Sequence, residues 1–324
     1  MIRLFGHAQA QAAFASAMAG GSLHHAWLLG GPEGVGKASF ALRAARRLLA
    51  AGMGQPAEDF DVPPGDRVHA LIDQGAHADL RVLQRLVSED RKGERKTARG
   101  ISVDQVRTLD PFLGTKPTYS PRRVIIVDSA DVLERGAANA LLKNLEEPPP
   151  DTTFLLVSHA PGRLLPTIRS RCRLLRFGRL DEAEMRGLLA QALPEAPAVE
   201  IDDLVAAGNG SPGRALGFAG LDVAGLDRAL EDMARGDPTN AVRAELARTL
   251  SLKAAVPRYE AFLDRAPSFI AAHAAQRRGE ALRVALDAHD DARALSASAL
   301  RLSLDAQGTV FEMGGIVARL ARAA

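Results

Sequence analysis

Residues 30–39 read GGPEGVGKAS. Gly31, Gly36 and Lys37 follow the spacing G-x-x-x-x-G-K-[ST], a loop whose backbone N–H groups curl round phosphates at a helix N-terminus. Gly31, Gly34 and Gly36 permit the curl, and Lys37 is placed to neutralise β- and γ-phosphates. The next position should carry a hydroxyl for Mg²⁺, and it is Ala38. Ser39 is no simple substitute, because one helical step rotates it by roughly 100°. Such a loop either holds nucleotide or survives as a glycine-rich strand-to-helix turn.

A second stretch, VIIVDSAD, is an apolar strand ending in an acid. Asp128 could hold Mg²⁺ through water. In ATPases of this type a Glu follows; here Ser129 follows, and a hydroxyl is no general base at neutral pH. A positioned base contributes typically about 10²–10⁴ in rate. Asp131 lies too far along to replace it. The losses at Ala38 and Ser129 point the same way, to the body of an ATPase without the activity.

These residues need elements to position them. AQAQAAFASAMA (8–19) reads as an amphipathic helix, and HHAWLLGG as a short strand running into the glycine loop. KASFALRAARRLLA follows with Phe40, Ala44 and Leu48 at helical spacing. Residues 51–79 are irregular, ADLRVLQRL is a strand, and the charged stretch 88–100 is a solvated loop or hairpin without assigned function. Ser102 is placed to cap a helix reaching about Leu113. ADVLERGAANALLKNLEE is a helix stopped by Pro148–Pro150, then TTFLLVSHA is a strand, LLPTIRSRC holds a helical turn and RLLRF is a strand. Alternation of strands and helices to residue 178 implies an α/β fold with a mainly parallel sheet. DEAEMRGLLAQAL opens on an Asp181–Glu184 capping box. Residues 222–324 read as four or five helices, with breaks at Gly236–Pro238, Pro257, Pro267 and Gly308.

The chain has 324 residues, 47% hydrophobic and 25% charged, with net charge +2. That balance does not favour a protein whose whole surface grips nucleic acid, and no groove-reading motif is present. One cysteine, Cys172, excludes an internal disulfide and a multi-cysteine zinc site. The start lacks the features of a signal peptide, and no apolar run approaches transmembrane length, so a cytoplasmic protein with no membrane partner is expected.

ANALLKNLEEPPPDTTFLLVSHAPGRLLPTIRSRC (138–172) resembles the clamp-loader branch of the AAA+ superfamily. The loop at 31–37, ISVDQVRTL, VIIVDSAD and GSPGRAL fall in that family's order. The resemblance covers residues 1 to about 220; the last hundred match only as a helical collar of the right length. It implies an AAA+ P-loop domain over 1–178, a small helical lid over 179–221 and an all-α oligomerisation collar over 222–324. It implies that Arg171 of SRC reaches the ATP site of a neighbouring motor subunit, where a permanently charged fork stabilises the transferring phosphate. Spacing alone favours reading Arg169, Arg171 and Arg173 as a solvated basic stretch; the surrounding family motif is what reverses that reading for Arg171. Arg214 matches the lid's sensor arginine, which would touch this chain's own nucleotide, or else it is structural. Ser158 stands at a sensor position, His159 receives no role, and Glu146 and Glu147 are acids at a helix end, free to pair with nearby bases.

The resemblance further implies the motor subunits of a ring (gamma/tau in bacterial DNA polymerase III), a delta subunit, a sliding clamp and primer–template DNA as partners. Many relatives carry a four-cysteine zinc module after the P-loop helix, but residues 51–79 hold no cysteine. No cofactor is therefore required, with residual ATP or ADP on Gly31, Gly34, Gly36, Lys37, Asp128 and Arg214 left open. The expected function is a non-hydrolysing clamp-loader subunit that donates Arg171; the alternative is an active motor subunit of the same family. A small-metabolite P-loop kinase lacks a recognisable substrate lid and catalytic residues.

Overall fold

Short aliphatic runs become parallel strands here because both faces are covered. The computed structural model describes residues 6–21, 23–54, 62, 66–89 and 95–323. The extreme start, residues 55–61 and 63–65 of the irregular segment read over 51–79, and 90–94 of the charged stretch lie outside the described residues. Helix α1 (Ala8–Ala19) leads into β1 (Ala26–Gly30), the glycine loop and α2 (Lys37–Gly52). After α3 (Arg67–Asp73) come β2 (Leu80–Gln84) and the antiparallel pair β3 (Val87–Glu89) and β4 (Arg95–Thr97). The charged stretch is thus a hairpin at its described ends. Then follow α4 (Val103–Arg107), α5 (Leu109–Gly114), β5 (Arg123–Asp128), α6 (Arg135–Glu146), β6 (Thr152–Ser158), α7 (Pro166–Arg169) and β7 (Arg173–Arg176).

The main sheet runs β2-β5-β6-β1-β7 with every neighbouring pair parallel. Successive residues alternate between two apolar layers. Trp27, Leu29, Val124, Ile126, Leu155 and Val157 pack with Phe14, Phe40, Ala44 and Leu48 on one face. Leu28, Ile125, Val127, Phe154 and Leu156 pack with Ile101, Leu109, Leu141 and Leu145 on the other. Each such side chain, fully buried, contributes about 1.5–3 kcal/mol. The α/β class and the parallel sheet expected from the sequence are those observed.

Local chemistry explains the departures. The single helix expected from Ser102 to Leu113 is two. Ser102 and Gln105 form the reciprocal cap of α4, but Pro111 has no N–H to continue the ladder, and a second helix begins at Leu109 with that proline in its first turn. Residues 130–132 form a 3-10 turn, so α6 starts only at Arg135.

Contacts divide the chain into two compact units, residues 1–188 with 210–213, and residues 189–209 with 214–324. α8 (Glu182–Ala192) begins in the first, with Glu184 N–H on Asp181 and Asp181 N–H on Glu184, as the capping box predicts. The second unit is helical. It contains α9 (Ala198–Gly208), most of α10 (Pro212–Gly217), α11 (Val223–Arg235), α12 (Ala241–Leu250), α13 (Val256–Ala274), α14 (Gly279–Leu302) and α15 (Ala306–Ala318). The break at Gly236–Pro238 is present, and buried Asp237 accepts from the amides of Val242 and Arg243 beyond it. The break expected at Pro267 is absent: the proline lies inside α13. Its missing N–H would have bonded the carbonyl of Leu263, and the Ser296 hydroxyl of α14 donates there instead at 2.8 Å. Gly308 likewise lies in the first turn of α15, where its amide donates to the Asp305 cap.

Asp79, just before β2, ties the approach to β5. Its buried carboxylate accepts from the amides of Thr118, Tyr119 and Ser120 at 2.6, 2.7 and 2.9 Å. Asp79→Ala strands three donors, and urea unfolding should show a loss of about 2–4 kcal/mol. A loss under about 0.5 kcal/mol, the range of an ordinary surface change, would refute this bracing role.

Candidate functional site

In a parallel sheet every strand delivers its carboxyl end to the same edge, and ligands bind outside that edge. Gly30 ends β1, Asp128 ends β5 and Ser158 ends β6, with Gly30 and Ser158 opposite one another in register. The glycine loop leaves from this edge. Gly31 must be glycine, since a Cβ there would collide with the carbonyl oxygen of Phe177. Gly34 and Gly36 have φ of 74° and 106°, the left-handed region that side chains disfavour.

The loop's carbonyls are all engaged from within. Lys37 Nζ donates to Gly31 O at 2.7 Å and to Pro32 O. The Ser211 hydroxyl donates to Glu33 O at 2.9 Å and Gly213 N–H to Gly34 O at 2.8 Å. His7 Nε2 bonds Val35 O at 2.8 Å, and Phe40 N–H takes Gly36 O as α2 begins. The amides of Gly34, Val35 and Gly36 make no hydrogen bond among the described residues. The loop therefore retains donors suited to a phosphate and lacks, at Ala38, the hydroxyl for its magnesium. Lys37 is buried and burial lowers its pKa to about 8, against the charges of Asp131, Glu33 and Asp128.

Asp128 stands at the expected place. Burial raises its pKa above the ordinary carboxylate value, against the pull of His159, Lys37 and Arg85. Asp131 is not available as a base. Its oxygens accept from the Ser158 hydroxyl at 2.9 Å and the amides of His159 and Ala160 at 2.7 and 3.1 Å. Desolvation alone would raise its pKa; those donors, with the charge of His159, hold it below the usual value. Ser158, the sensor candidate, is thereby committed to a brace between the ends of β5 and β6.

Arg214 belongs to the second unit. Its guanidinium donates to Asp264 Oδ2 at 2.6 Å, to the Asp264 carbonyl and to Ser268 Oγ on α13, and lies 5.5 Å from the Phe218 ring centre. The Asp264 ion pair lends Arg214 a structural task within the helical unit.

Arg171 lies at the other edge of the sheet. It precedes β7, whose first residue Arg173 pairs with Trp27 near the start of β1. The five residues of β1, about 16 Å of strand, separate that level from the glycine loop. Its Nη2 contacts Glu146 Oε1 at 2.8 Å, and its Nη1 donates to Thr167 O at 3.0 Å and to Ser170 Oγ at 3.4 Å. About a third of the side chain stays exposed. Its neighbours differ: Arg169 is exposed with no ion pair among the described residues, and Arg173 lies over the Trp27 ring at 5.0 Å. Sequence reasoning found Glu146 as an acid free to pair but not its partner; the fold supplies that by packing α6 beside α7. It did not find the roles of His7 and Asp131, which no local spacing announces.

Among the described residues no His, Cys, Asp or Glu group is arranged to hold a metal, and no helix is long and apolar enough to cross a membrane.

A family model described as DNA polymerase III, delta subunit, matches residues 6–181. The delta' subunit of DNA polymerase III from Pseudomonas aeruginosa is 38% identical over 206 residues, 62% of this chain and 58% of that protein. The gamma/tau subunit from Mycobacterium tuberculosis is 33% identical over 248 residues, 68% of this chain and 40% of that protein. The chain thus spans less than two thirds of the length of these relatives. Among solved structures, a DNA polymerase III gamma subunit-related protein from Thermotoga maritima aligns with 96% of this chain and 100% of its own at 18% identity and a TM-score of 0.44.

Two titrations test this site. Lys37 carries its charge in both folded and unfolded chains below about pH 8, where the desolvation cost is complete. Between about 8 and the unfolded value of 10.5 the unfolded chain binds the extra proton, so this residue's contribution to stability rises with pH. NMR should show one lysine Nζ titrating near 8, and Lys37→Met should flatten the rise in unfolding free energy between pH 8 and 10. Burial pushes the Cys172 thiol up to about 12, so at pH 8 a disulfide reagent should react with it far more slowly than with an ordinary exposed cysteine.

Proposed function

The chain belongs to the family of the DNA polymerase III delta subunit, and from that membership we propose that it serves as the delta-prime subunit of a DNA polymerase III clamp loader. In this reading it sits in a cytoplasmic ring with gamma/tau motor subunits and a delta subunit. The ring uses ATP to open a sliding clamp and place it on primer–template DNA. Residues 1–178 form the P-loop domain, 179–221 the lid and 222–324 the collar that joins the ring. The chain does not hydrolyse ATP, because Ala38 offers no magnesium ligand and Ser129 no base. ATP or ADP, if held, rests on Gly31, Gly34, Gly36 and Lys37, near Asp128, while Arg214 keeps its structural task on Asp264. No zinc or other cofactor is needed.

One observation carries the chemical part. Arg171 is presented at the amino-terminal edge of the sheet, a strand's length from the chain's own phosphate loop. A partly exposed, carboxylate-held arginine in that position serves a phosphate on a neighbouring subunit. There a guanidinium stabilises the charge of the transferring group, and such arginines contribute about 10³–10⁵ in turnover. The match to gamma/tau over a longer stretch of this chain than to delta' favours a second reading, an active motor subunit.

Turnover separates them. The isolated chain should hydrolyse no ATP, and a ring rebuilt with cognate partners should lose most of its clamp- and DNA-stimulated ATPase on Arg171→Ala while assembling normally. Hydrolysis by the isolated chain establishes the motor reading; an unchanged rate in the variant ring removes the donated arginine.

A further inference from the structure

We infer that Glu146 is the positioning residue for Arg171, holding the guanidinium in its working orientation before a neighbour's phosphate arrives. This rests on the reading of Arg171 as an arginine donated in trans. An arginine side chain free in solvent samples many rotamers, a freedom that docking onto a phosphate must remove. Here much of it is already removed. Nη1 is held by Thr167 O and, more weakly at 3.4 Å, by Ser170 Oγ, both groups of its own turn. Glu146 supplies the contact from a second element, 2.8 Å from Nη2. With one anchor on α7 and another at the end of α6, the planar group is defined at both terminal nitrogens.

Glu146 is itself placed by rigid structure. It is the last residue of α6, whose preceding Leu145 is fully buried and whose Leu145 carbonyl bonds His25 Nε2 at 3.2 Å. The proline run 148–150 stops the helix there. The carboxylate therefore stands at a fixed height beside the turn that carries Arg171. Glu147, one residue on, is exposed and forms no ion pair among the described residues. Fixing a catalytic group through a neighbour's hydrogen bond is how precise sites are built. An exposed ion pair of this kind is weak enough to yield one N–H to a phosphate without unfastening the other anchors.

The test uses the rebuilt ring, with Glu146→Ala, Glu146→Asp, Arg171→Ala, the double variant Glu146→Ala/Arg171→Ala, and Glu147→Ala as control, each verified for equal assembly by sedimentation. Glu146→Ala should lower the stimulated kcat by about 2- to 5-fold, the range an exposed ion pair supports, with KM for ATP unchanged. Glu146→Asp should recover part of the loss and Glu147→Ala should lose nothing. In the Arg171→Ala background Glu146→Ala should have no further effect, because it acts through that arginine. In the isolated chain, Arg171 Nε–H relaxation should report faster side-chain motion once Glu146 is removed. If Arg171→Ala abolishes stimulation and Glu146→Ala leaves kcat unchanged or raises it, the positioning role is wrong and the donated arginine stands. A loss equally large without Arg171 marks Glu146 as a structural residue only. If Arg171→Ala itself changes nothing, both inferences fall.

Discussion

The direction shared by all five strands of the main sheet governs everything else in the first unit. Parallel pairing sends each carboxyl end to one edge and each amino end to the opposite one. The glycine loop, Asp128 and Ser158 must then gather at the first edge, and the turn before β7, with Arg171, must fall at the second. No side-chain choice can bring the two together within one chain while the register holds. Packing enforces the register, because a one-residue slip would force Trp27 and Leu29 into the layer shaped around Ala26 and Leu28.

Legibility in the sequence followed the range of the interaction concerned. The Ser102–Gln105 and Asp181–Glu184 caps are contacts over three residues, and both are present as expected. The buried strands carry enough branched aliphatic residues to announce themselves. α3, at seven residues, is too short to display a helical period, and it is started by an Asp66 side chain that accepts from Val68 N–H in a segment of turn formers. Pro267 misled for a related reason. Proline forbids a bond to Leu263 O, but whether the helix survives depends on Ser296, on another helix, filling the gap. A local rule cannot include a partner that only packing brings near.

The site divides along the same line. Gly31, Gly36, Lys37 and Asp128 were visible because phosphate loops and acid-ending strands have fixed spacing. The occupation of Ser158 by Asp131, the His7 contact to Val35 O and the Glu146 contact to Arg171 all join distant segments. Arg171 itself was singled out by its neighbours in the chain, and only the sheet explains why it is useless to its own loop.

The self-satisfied glycine loop has a mechanical consequence. A phosphate loop that needs its ligand to become ordered can report whether the ligand has come or gone. With its carbonyls bonded by Lys37, Ser211, Gly213, His7 and Phe40, this loop keeps its shape on internal contacts. A loop ordered in this way gives no such report: its backbone has no shape left to gain from a phosphate, only amides to offer it.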